Sequence, residues 1–332
     1  MRYLVVFMAS FASFSPVSAS PSLETPKARA SSWRKKGLSV DVSFSHNKAN
    51  AVAIADGEAF LENESIASAL QAYLAHSCRS QAQEIGRGNF STVYKLEPID
   101  KDLQHLEVIK LLYKYEPFRS SRGEYLANQM DSPYFLKAEC LFYQDGKIIN
   151  EPVPGALEIG VILPYVSGMT LREGIEQRLI DENRALAIVK QIALALIDLK
   201  KAGIAHRDLK PENIMIQNDG SVILLDFGIS RQYPSSGDET PVGTAAYMAP
   251  ERDSGGALEG LGIEKSDVYS LGRIFLQLLG GKISGDFWER VGQPDVTETP
   301  ERFHGVLKAM LQPNPADRAS VDRVLDLLAT EE

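Results

Sequence analysis

Alternating apolar and polar residues mark several short strands in the first half of the chain. A strand pattern flanks two glycines over residues 83–96, and a second apolar run covers 106–112. Further along, apolar residues recur every three or four positions over 182–201, which predicts a long helix that ends at Gly203. Apolar runs on either side of the turn at 218–220 then predict a β-hairpin.

The first 82 residues carry a different pattern. Residues 1–20 combine one arginine, an apolar run and a small-residue Val-Ser-Ala site, which is the layout of a secretory signal or another export segment. A disordered hydrophobic terminus is the alternative. We interpret residues 21–82 as a linker and an N-terminal extension, in which apolar residues at helical spacing predict a helix over 64–80. We expect this helix to pack on the following domain rather than to bind a partner.

Composition narrows the class of protein. The 332 residues include 44% hydrophobic and 24% charged residues, which is ordinary for a globular protein. The net charge of −9 argues against nucleic acid as a partner, because affinity for a duplex rests on cationic contacts to phosphates. Two cysteines are too few for a disulfide framework or a four-cysteine zinc site. The apolar run near the N-terminus is shorter than the ~20 residues of a spanning helix, so we expect no stable membrane span.

A glycine-rich turn and a nearby lysine indicate a phosphate-binding site. Gly86 and Gly88 lie between two strand patterns, where glycine lets the backbone turn sharply and approach a phosphate. The setting is a hairpin rather than a strand-loop-helix unit, which argues against a Rossmann or Walker-type site. Lys110 stands alone among the apolar residues of the next strand. A lone strand lysine is usually a surface residue, but beside the glycine turn it becomes a candidate phosphate contact.

Polar and charged side chains are concentrated between the long helix and the hairpin. Six of them fall within the eight positions from His206 to Asn213, a density that fold stability does not explain. Asp208 could accept a proton from a substrate hydroxyl, and Lys210 could stabilise a transferring phosphoryl group. The amide oxygen of Asn213 and the carboxylate of Asp226, which follows the hairpin, are ligands of the kind that Mg²⁺ binds.

Together these motifs resemble the eukaryotic-type, or Hanks-type, serine/threonine protein kinases. The matched segments, in chain order, are GRGNFSTV at 86–93, VIK at 108–110, HRDLKPEN at 206–213, DFG at 226–228, GTAAYMAPE at 243–251, DVYSLG at 267–272 and NPADRAS at 314–320. They occur in the family order over residues 83–330, so the joint match is highly specific.

The resemblance implies an α+β, two-lobed protein kinase fold. A small β-rich lobe would cover 83–163, a hinge 164–168 and a larger helical lobe 169–330. ATP would bind in the cleft between the lobes together with Mg²⁺, or with Mn²⁺ in its place. Proteins would be the substrates, and we expect the enzyme to phosphorylate itself as well.

The resemblance also implies roles for individual residues. Asp208 would orient the acceptor hydroxyl, Lys210 would contact the γ-phosphate, and Lys110 would contact the α- and β-phosphates. Asn213 and Asp226 would ligate the metal. The other residues expected around the nucleotide are Ile85, Gly86, Gly88, Ser91, Val93, Val108, Glu124, Leu163, Val166 and Met215.

The acceptor class follows from the same resemblance. Lys210 in the catalytic loop and the GTAAYMAPE segment are typical of Ser/Thr rather than Tyr specificity, with Thr244 near Asp208. This segment shapes a platform for a peptide, which argues against a kinase of small molecules.

Regulatory and structural roles are implied for residues outside the reaction itself. Arg207 would bind a phosphate on the activation segment, residues 226–251, after autophosphorylation near Ser235, Ser236 or Thr240. Glu251 and Arg318 would form a buried ion pair, and Asp267 would brace the backbone of the catalytic loop.

Two positions depart from the family pattern. Ser91 replaces the third glycine of the loop, a change that many active members tolerate. Glu124 is the expected partner of Lys110, but its helix looks one residue short, and Asn128 stands where the family usually has an apolar residue. If the pair does not form, activity would need an activating partner, and residues 41–82 are a candidate brace.

An active kinase is the preferred interpretation, and a pseudokinase-type scaffold is the alternative. All four residues that carry the chemistry are present, whereas a scaffold would more often have lost one. Because the reaction needs ATP, we expect an ATP-containing cytosol as its location. A second hypothesis is an effector-like kinase that a bacterium exports into a host cell through the N-terminal segment.

Overall fold

The first described strand begins at Arg79, before the expected start of the kinase domain at residue 83. The computed structural model describes residues 79–87, 91–98, 107–112, 121–143, 148–150, 158–232, 243–252 and 261–331. The signal-like segment, the extension as far as residue 78, and Gly88 lie outside these residues. The helix predicted over 64–80 is wrong at its end, because a strand begins at Arg79. Residues from Arg79 onward pair with the next strand, and these cross-strand hydrogen bonds decide their conformation.

The first part of the structure is a six-stranded antiparallel sheet. Its strands are β1 (Arg79–Arg87), β2 (Ser91–Pro98), β3 (Glu107–Leu112), β4 (Cys140–Tyr143), β5 (Ile148–Ile149) and β6 (Glu158–Pro164). Their order in the sheet is β1-β2-β3-β6-β4-β5. The predicted hairpin around the glycine turn is confirmed as β1 and β2, and the predicted strand over 106–112 is confirmed as β3.

Apolar side chains cover both faces of this sheet. Along β3 the side chains alternate, so Ile109 and Leu111 pack in one layer while Val108 packs in the other. Lys110 lies two positions from Val108 and therefore points to the same face. Helix α1 (Ser121–Ala127) contacts β4 and β6. The strand register thus places one lysine on the face that looks toward the rest of the molecule.

The second part of the structure is mainly helical. Its helices are α2 (Leu171–Glu176), α3 (Glu182–Lys201), α4 (Leu261–Leu278), α5 (Phe287–Val291), α6 (His304–Met310) and α7 (Val321–Ala329). Helix α3 contacts both α4 and α7, and their apolar faces form the largest hydrophobic core. Within the part of the chain that the structure describes, no helix is long and apolar enough to cross a membrane.

Helix α3 begins and ends where the sequence predicts. Asp181 caps its N-terminus by accepting a hydrogen bond from the backbone N–H of Arg184 at 2.8 Å. Its buried face repeats at three- and four-residue spacing, as Ala185, Val189 and Ile192 illustrate. The chain then turns at Gly203, whose φ of 66° is easily reached only without a side chain.

Two small sheets carry the loops of the candidate site. One contains β7 (Gly168–Thr170), β9 (Ile214–Gln217) and β10 (Val222–Leu224), and the other contains β8 (Ile204–Ala205) and β11 (Arg231–Gln232). The predicted hairpin is confirmed as β9 and β10. Because β8 leads into the catalytic loop and β10 leads into Asp226, these short strands position both segments.

A buried ion pair between Arg318 and Glu251 lies in the helical region. The guanidinium of Arg318 donates to both carboxylate oxygens of Glu251, at 2.6 and 2.8 Å, and also to three backbone carbonyls. It lies 4.9 Å from the centre of the Tyr269 ring. This predicted pair is confirmed, as is the α+β fold with a small β-rich lobe and a larger helical lobe.

Candidate active site

Lys110 is the centre of a buried group of charges, the Lys110 cluster (Lys110, Glu124 and Asp226). Its ammonium donates to the two carboxylate oxygens of Glu124 at 3.0 and 2.7 Å, and to Oδ1 of Asp226 at 2.7 Å. The side chains of Lys110 and Glu124 are each 3% exposed. Burial by itself lowers the pKa of Lys110, but the carboxylates of Asp226 and Glu124 outweigh it and raise the pKa. The lysine therefore stays charged.

The helix that carries Glu124 is short, as its sequence suggests. Helix α1 has seven residues and ends one position before Asn128, the expected place of an apolar side chain. Asn128 is buried, and its backbone carbonyl accepts a hydrogen bond from Ala138 at 3.1 Å. Despite this short helix, the structure brings Glu124 and Lys110 together.

Asp267, on helix α4, accepts hydrogen bonds from the backbone of the catalytic loop and so braces it. One carboxylate oxygen of Asp267 accepts from the backbone N–H of His206 at 2.7 Å, and the other accepts from that of Arg207 at 2.9 Å. Arg207 has a φ of 70°, a conformation that costs on the order of 1–3 kcal/mol for a residue with a side chain. The predicted brace is thus confirmed, and it supports a backbone conformation that the loop would not adopt on its own.

Asp208 lies in a second group of polar side chains, the Asp208 cluster (Asp208, Lys210, Asn213 and Thr244). Oδ2 of Asp208 accepts from the ammonium of Lys210 at 2.8 Å, and Oδ1 accepts from the hydroxyl of Thr244 at 3.1 Å. The same ammonium donates to the Thr244 hydroxyl at 3.1 Å. The structure therefore places a carboxylate, an ammonium and an alcohol in mutual contact, which is an arrangement suited to handling a hydroxyl proton.

Asn213 connects the two clusters. Its side-chain nitrogen donates to the backbone carbonyl of Asp208 at 2.8 Å, which leaves the amide oxygen as the atom that can ligate a cation. Its backbone carbonyl accepts from the N–H of Leu225 at 2.8 Å, directly before Asp226. The metal ligands predicted from the sequence are therefore on two segments that are hydrogen-bonded to each other.

One carboxylate and one amide are the donor set that suits Mg²⁺ in a phosphate site. Among the described residues, no group of three or more His, Cys, Asp or Glu side chains could hold a metal ion. Magnesium does not require such a cage, because it keeps several waters and takes further oxygens from substrate phosphates. Asn213 and Asp226 thus fit this cation, and Lys110 already neutralises part of the charge on Asp226.

The backbone at Asp226 turns sharply so that the next side chain points inward. Asp226 has a φ of 61°. Phe227 is completely buried and meets Phe135 edge to face, with ring centroids 5.4 Å apart, and His206 at 4.8 Å. Phe227 therefore fixes the segment by packing while Asp226 remains available for polar contacts.

Two apolar clusters, one from each lobe, are connected by side chains that pack against both, and together they border the candidate pocket for the base. Val93, Val108 and Leu163 belong to a hydrophobic cluster of the small lobe, and Met215 belongs to one of the large lobe. Ile85 packs against both clusters. The structure thus gathers the residues predicted for the base, and Val166 packs against the large-lobe cluster at the same place.

The glycine-rich turn is described only at its two ends. Gly86 follows an irregularity in the pairing of β1 with β2, and Ser91 pairs with Leu112 at the end of β3. Gly88 lies outside the described residues.

Three arginines form the basic cluster: Arg207 within the catalytic loop, and Arg231 and Arg252 close to it. Burial lowers the pKa of the Arg207 guanidinium to about 10, and the positive charges of Arg252 and Arg231 add to this effect, while Asp267 opposes it. Strand β11 places Arg231 opposite Ala205 on β8. The positive charge gathered here is suited to an anion.

Several residues of the site were not predicted from the sequence. Ile223 and Leu225 form the large-lobe apolar cluster with Met215, although the apolar run on β10 indicated only a strand. Tyr165 contributes to both pocket clusters. Arg172 contacts the catalytic loop from α2, and no local pattern marks it because its partners are far away in sequence.

Comparison with known proteins supports this picture. The sequence model of the protein kinase domain matches residues 79–327, well over half of the chain. Over 252 residues the chain is 27% identical to the serine/threonine-protein kinase AtPK1/AtPK6 of Arabidopsis thaliana, covering 70% of this chain and 50% of that protein. Over 249 residues it is 28% identical to the serine/threonine-protein kinase PrkC of Bacillus subtilis, covering 73% and 35%. Over 189 residues it is 34% identical to the serine/threonine-protein kinase PknB of Mycolicibacterium smegmatis, covering 51% and 29%.

The chain belongs to the protein kinase family. All three relatives carry the name of a serine/threonine-protein kinase. The alignments span half or less of the length of each of these relatives.

Proposed function

We propose that the chain is an ATP-dependent protein kinase that transfers the γ-phosphoryl group of ATP to serine and threonine hydroxyls of proteins. One observation carries the proposal: the Lys110 cluster and the Asp208 cluster are both formed, and Asn213 joins them. Buried charges cost stability unless they are paired. Two buried groups of charges close together are therefore not explained by the needs of a stable fold, whereas phosphoryl transfer requires both.

The nucleotide base would lie in the apolar pocket at the hinge. Val93 and Val108 would cover one side of the base and Met215 the other, while Leu163 and Val166 would border it along the hinge. The residues that would cover the sugar and phosphates from the first hairpin are Ile85, Gly86, Gly88 and Ser91.

The phosphates would lie between the hairpin and the Lys110 cluster. The ammonium of Lys110 would contact the α- and β-phosphates, and Glu124 would hold that ammonium in place. Asn213 and Asp226 would hold Mg²⁺, or Mn²⁺, through the amide and carboxylate oxygens. When bound, the cation neutralises charge on the phosphates.

The transfer itself would take place at Asp208. The acceptor hydroxyl donates a hydrogen bond to the Asp208 carboxylate, its oxygen forms a bond to the γ-phosphorus, and the bond from that phosphorus to the bridging oxygen of ADP breaks. The hydroxyl proton passes to the carboxylate and then to solvent. Oδ1 of Asp208 already accepts a hydrogen bond from the alcohol of Thr244, so it is a suitable acceptor for a second alcohol. Lys210 would balance charge on the transferring group.

Autophosphorylation of the activation segment belongs to the same proposal. A phosphate on Ser235, Ser236 or Thr240 would bind to the basic cluster through charge-assisted hydrogen bonds. Mass spectrometry that finds residues 230–244 unmodified in fully active protein would contradict this part.

The test is phosphoryl transfer by the full chain. Wild type and Asp208→Asn are incubated with γ-labelled ATP, Mg²⁺ and a generic basic protein, and the labelled amino acids are identified after hydrolysis. We expect phosphoserine and phosphothreonine with wild type, and a rate about 10³-fold lower with the variant. Phosphotyrosine alone would contradict the acceptor class. Binding of ATP without any transfer by wild type would favour the scaffold alternative.

The location follows from the need for ATP. We propose an ATP-containing cytosol, either that of the cell that makes the chain or that of a host into which the chain is exported. A reporter fused to residues 1–40 distinguishes the two, because only the second requires that the reporter leave the producing cell.

A further inference from the structure

Arg172 connects two segments of the candidate active site that are far apart in sequence. From the second position of α2, its Nε donates to Oε1 of Glu212 at 2.8 Å, and its Nη2 donates to the hydroxyl of Tyr247 at 2.9 Å. Glu212 lies in the catalytic loop, four residues after Asp208. Tyr247 lies three residues after Thr244, whose hydroxyl contacts that same Asp208. One guanidinium therefore spans the loop and the segment that face each other across Asp208.

Both partners of Arg172 are themselves fixed. Tyr247 is 3% exposed, and its hydroxyl donates to Oε1 of Gln277 on α4 at 2.9 Å. Burial raises the pKa of Tyr247 to about 12, so the hydroxyl keeps its proton and can accept from Arg172 while it donates to Gln277. The bonds thus run without interruption from the catalytic loop to the core helix α4.

The helix that carries Arg172 begins at a defined point. Thr170 accepts from the backbone N–H of Glu173 at 3.1 Å, and the Glu173 carboxylate accepts from the backbone N–H of Thr170 at 2.8 Å. This reciprocal capping fixes the first turn of α2. Arg172 lies within that turn, so the position of its guanidinium is set by the backbone as well as by its partners.

The chemistry of the contact requires arginine. Its planar guanidinium offers several N–H donors in fixed directions and can serve two acceptors at once, whereas the ammonium of lysine is a point charge. The Arg172 side chain is 25% exposed and that of Glu212 is 15% exposed. Because the pair is largely shielded from solvent, removing one partner also costs some stability of the fold. The effect of the pair on the site is geometric, because it sets how far the segment after Gly243 lies from the catalytic loop.

The segment that Arg172 holds also approaches the loop very closely. Gly243 has a φ of 128°, and a Cβ atom at this position would come within 3.0 Å of the backbone carbonyl oxygen of Arg207. A small shift of Tyr247 would therefore be transmitted to Thr244 and to the surface on which an acceptor peptide must lie.

We propose that Arg172 is a positioning residue for the protein substrate, which rests on the proposed kinase function. Through Glu212 and Tyr247 it holds the segment from Gly243 to Ala249 in register with Asp208. It does not touch the reacting atoms. Its loss impairs use of the protein substrate much more than it impairs binding of ATP, whose proposed base pocket is bordered by the apolar clusters at the hinge.

The test compares Arg172→Ala and Arg172→Lys with wild type in the full chain. We expect Arg172→Ala to raise the KM for the protein substrate roughly tenfold, below the roughly 100-fold that a 1 Å misplacement can cost, while the KM for ATP changes less than about twofold. Arg172→Lys restores only part of the loss, because an ammonium cannot reproduce both contacts. Arg323→Ala is the matched control: its side chain is 61% exposed, on α7, and both KM values should stay at the wild-type level.

A double-mutant cycle separates positioning from general damage. Arg172→Ala and Tyr247→Phe both remove the hydrogen bond between these two side chains, so the loss in kcat/KM for the double variant should be smaller than the product of the two single losses. Multiplicative losses, or equal changes in the KM for ATP and for protein, would overturn the proposal.

Amide hydrogen exchange tests the same inference without any activity. We expect exchange in a peptide covering 244–249 to be about tenfold faster in Arg172→Ala and unchanged in peptides from β3. If wild type transfers no phosphate, the proposed function is contradicted, and exchange still decides the role of Arg172. Exchange at wild-type rates in 244–249 would overturn it.

Discussion

The two halves of the candidate site are held in different ways. In the large lobe, the catalytic loop is fixed by Asp267 beneath it, by Asn213 within it and by Arg172 beside it. In the small lobe, Glu124 lies on a helix of seven residues and reaches the site through its bonds to Lys110. One half is held by side chains on three separate elements, and the other contains a buried ion pair whose carboxylate lies on a short helix.

This difference indicates where the site can be loosened without unfolding. Loss of one contact in the large lobe leaves others that hold the loop. One of these contacts comes from Asp267 on α4, a helix that packs with α3 in the largest hydrophobic core. Loss of the Lys110–Glu124 pair leaves α1 held by its packing on β4 and β6 and by the hydrogen bond that the Tyr125 hydroxyl donates to the carbonyl of Asn150. Helices of this length are not stable by themselves, since helix formation becomes favourable only at about 12–15 residues.

The largest expected effect comes from breaking the ion pair below the large lobe. Arg318→Met removes the buried guanidinium that donates to both carboxylate oxygens of Glu251, which should cost about 3–5 kcal/mol in the free energy of unfolding. Denaturant titration measures this loss. Arg323→Met, on the exposed side of α7, is the control and should change the free energy by less than about 0.5 kcal/mol. A similar small loss in both variants would contradict the role of the pair.

Breaking the small-lobe pair should affect catalysis more than stability. Glu124→Gln leaves Lys110 bonded to Asp226 but removes the charge that holds the ammonium from the other side. We expect the transfer rate to fall about 100-fold, equivalent to about 2.7 kcal/mol, while the free energy of unfolding falls by less than in Arg318→Met.

Glu298→Gln is the control for the small-lobe experiment. It makes the same substitution at a pair with Lys282 whose side chains are 86% and 51% exposed, and it should leave the transfer rate unchanged. A Glu124→Gln variant that transfers phosphate at the wild-type rate would remove the contrast between the halves.

Loosening the brace of the catalytic loop should give an intermediate effect. Asp267→Asn turns one acceptor into a donor and leaves a backbone N–H of His206 or Arg207 without its bond, which should cost about 1–3 kcal/mol in the free energy of unfolding. Thermal unfolding and the transfer rate measure the two consequences. If neither changes, the strained φ of Arg207 does not depend on Asp267.

An apolar side chain at position 128, directly after α1, should strengthen the attachment of the small-lobe helix. Asn128→Leu replaces a buried amide, 3% exposed, with an apolar side chain and should stabilise the fold by about 1 kcal/mol. Denaturant titration measures the gain. A loss of stability would show that the Asn128 side chain is adapted to its site and that the end of α1 is not a weak point.

The parts of the site that lie in contiguous motifs could be predicted from the sequence. Asp208, Lys210 and Asn213 fall within six residues, so the sequence alone places them in one loop, and Asp226 follows a hairpin with a recognisable turn. The strands and the helix over 182–201 were confirmed because their apolar periodicity is local as well.

Contacts between distant segments could not be predicted in this way. Arg172 is 40 residues from Glu212 and 75 from Tyr247, and nothing in its own neighbourhood marks it. The edge-to-face packing of Phe135 on Phe227 is likewise a result of the fold. The wrong end of the helix over 64–80 has the same cause, because strand pairing with β2 decides the conformation from Arg79 onward.

The most direct test of this account is the initial rate of phosphoryl transfer by purified full chain with ATP and Mg²⁺ but no other protein except a generic acceptor. Because the Lys110–Glu124 pair is already formed, we predict transfer without an activating partner, at a rate about 10³-fold above that of Asp208→Asn. A wild-type protein that binds ATP but transfers no faster than Asp208→Asn would contradict the central claim that the two halves of the site form a competent kinase.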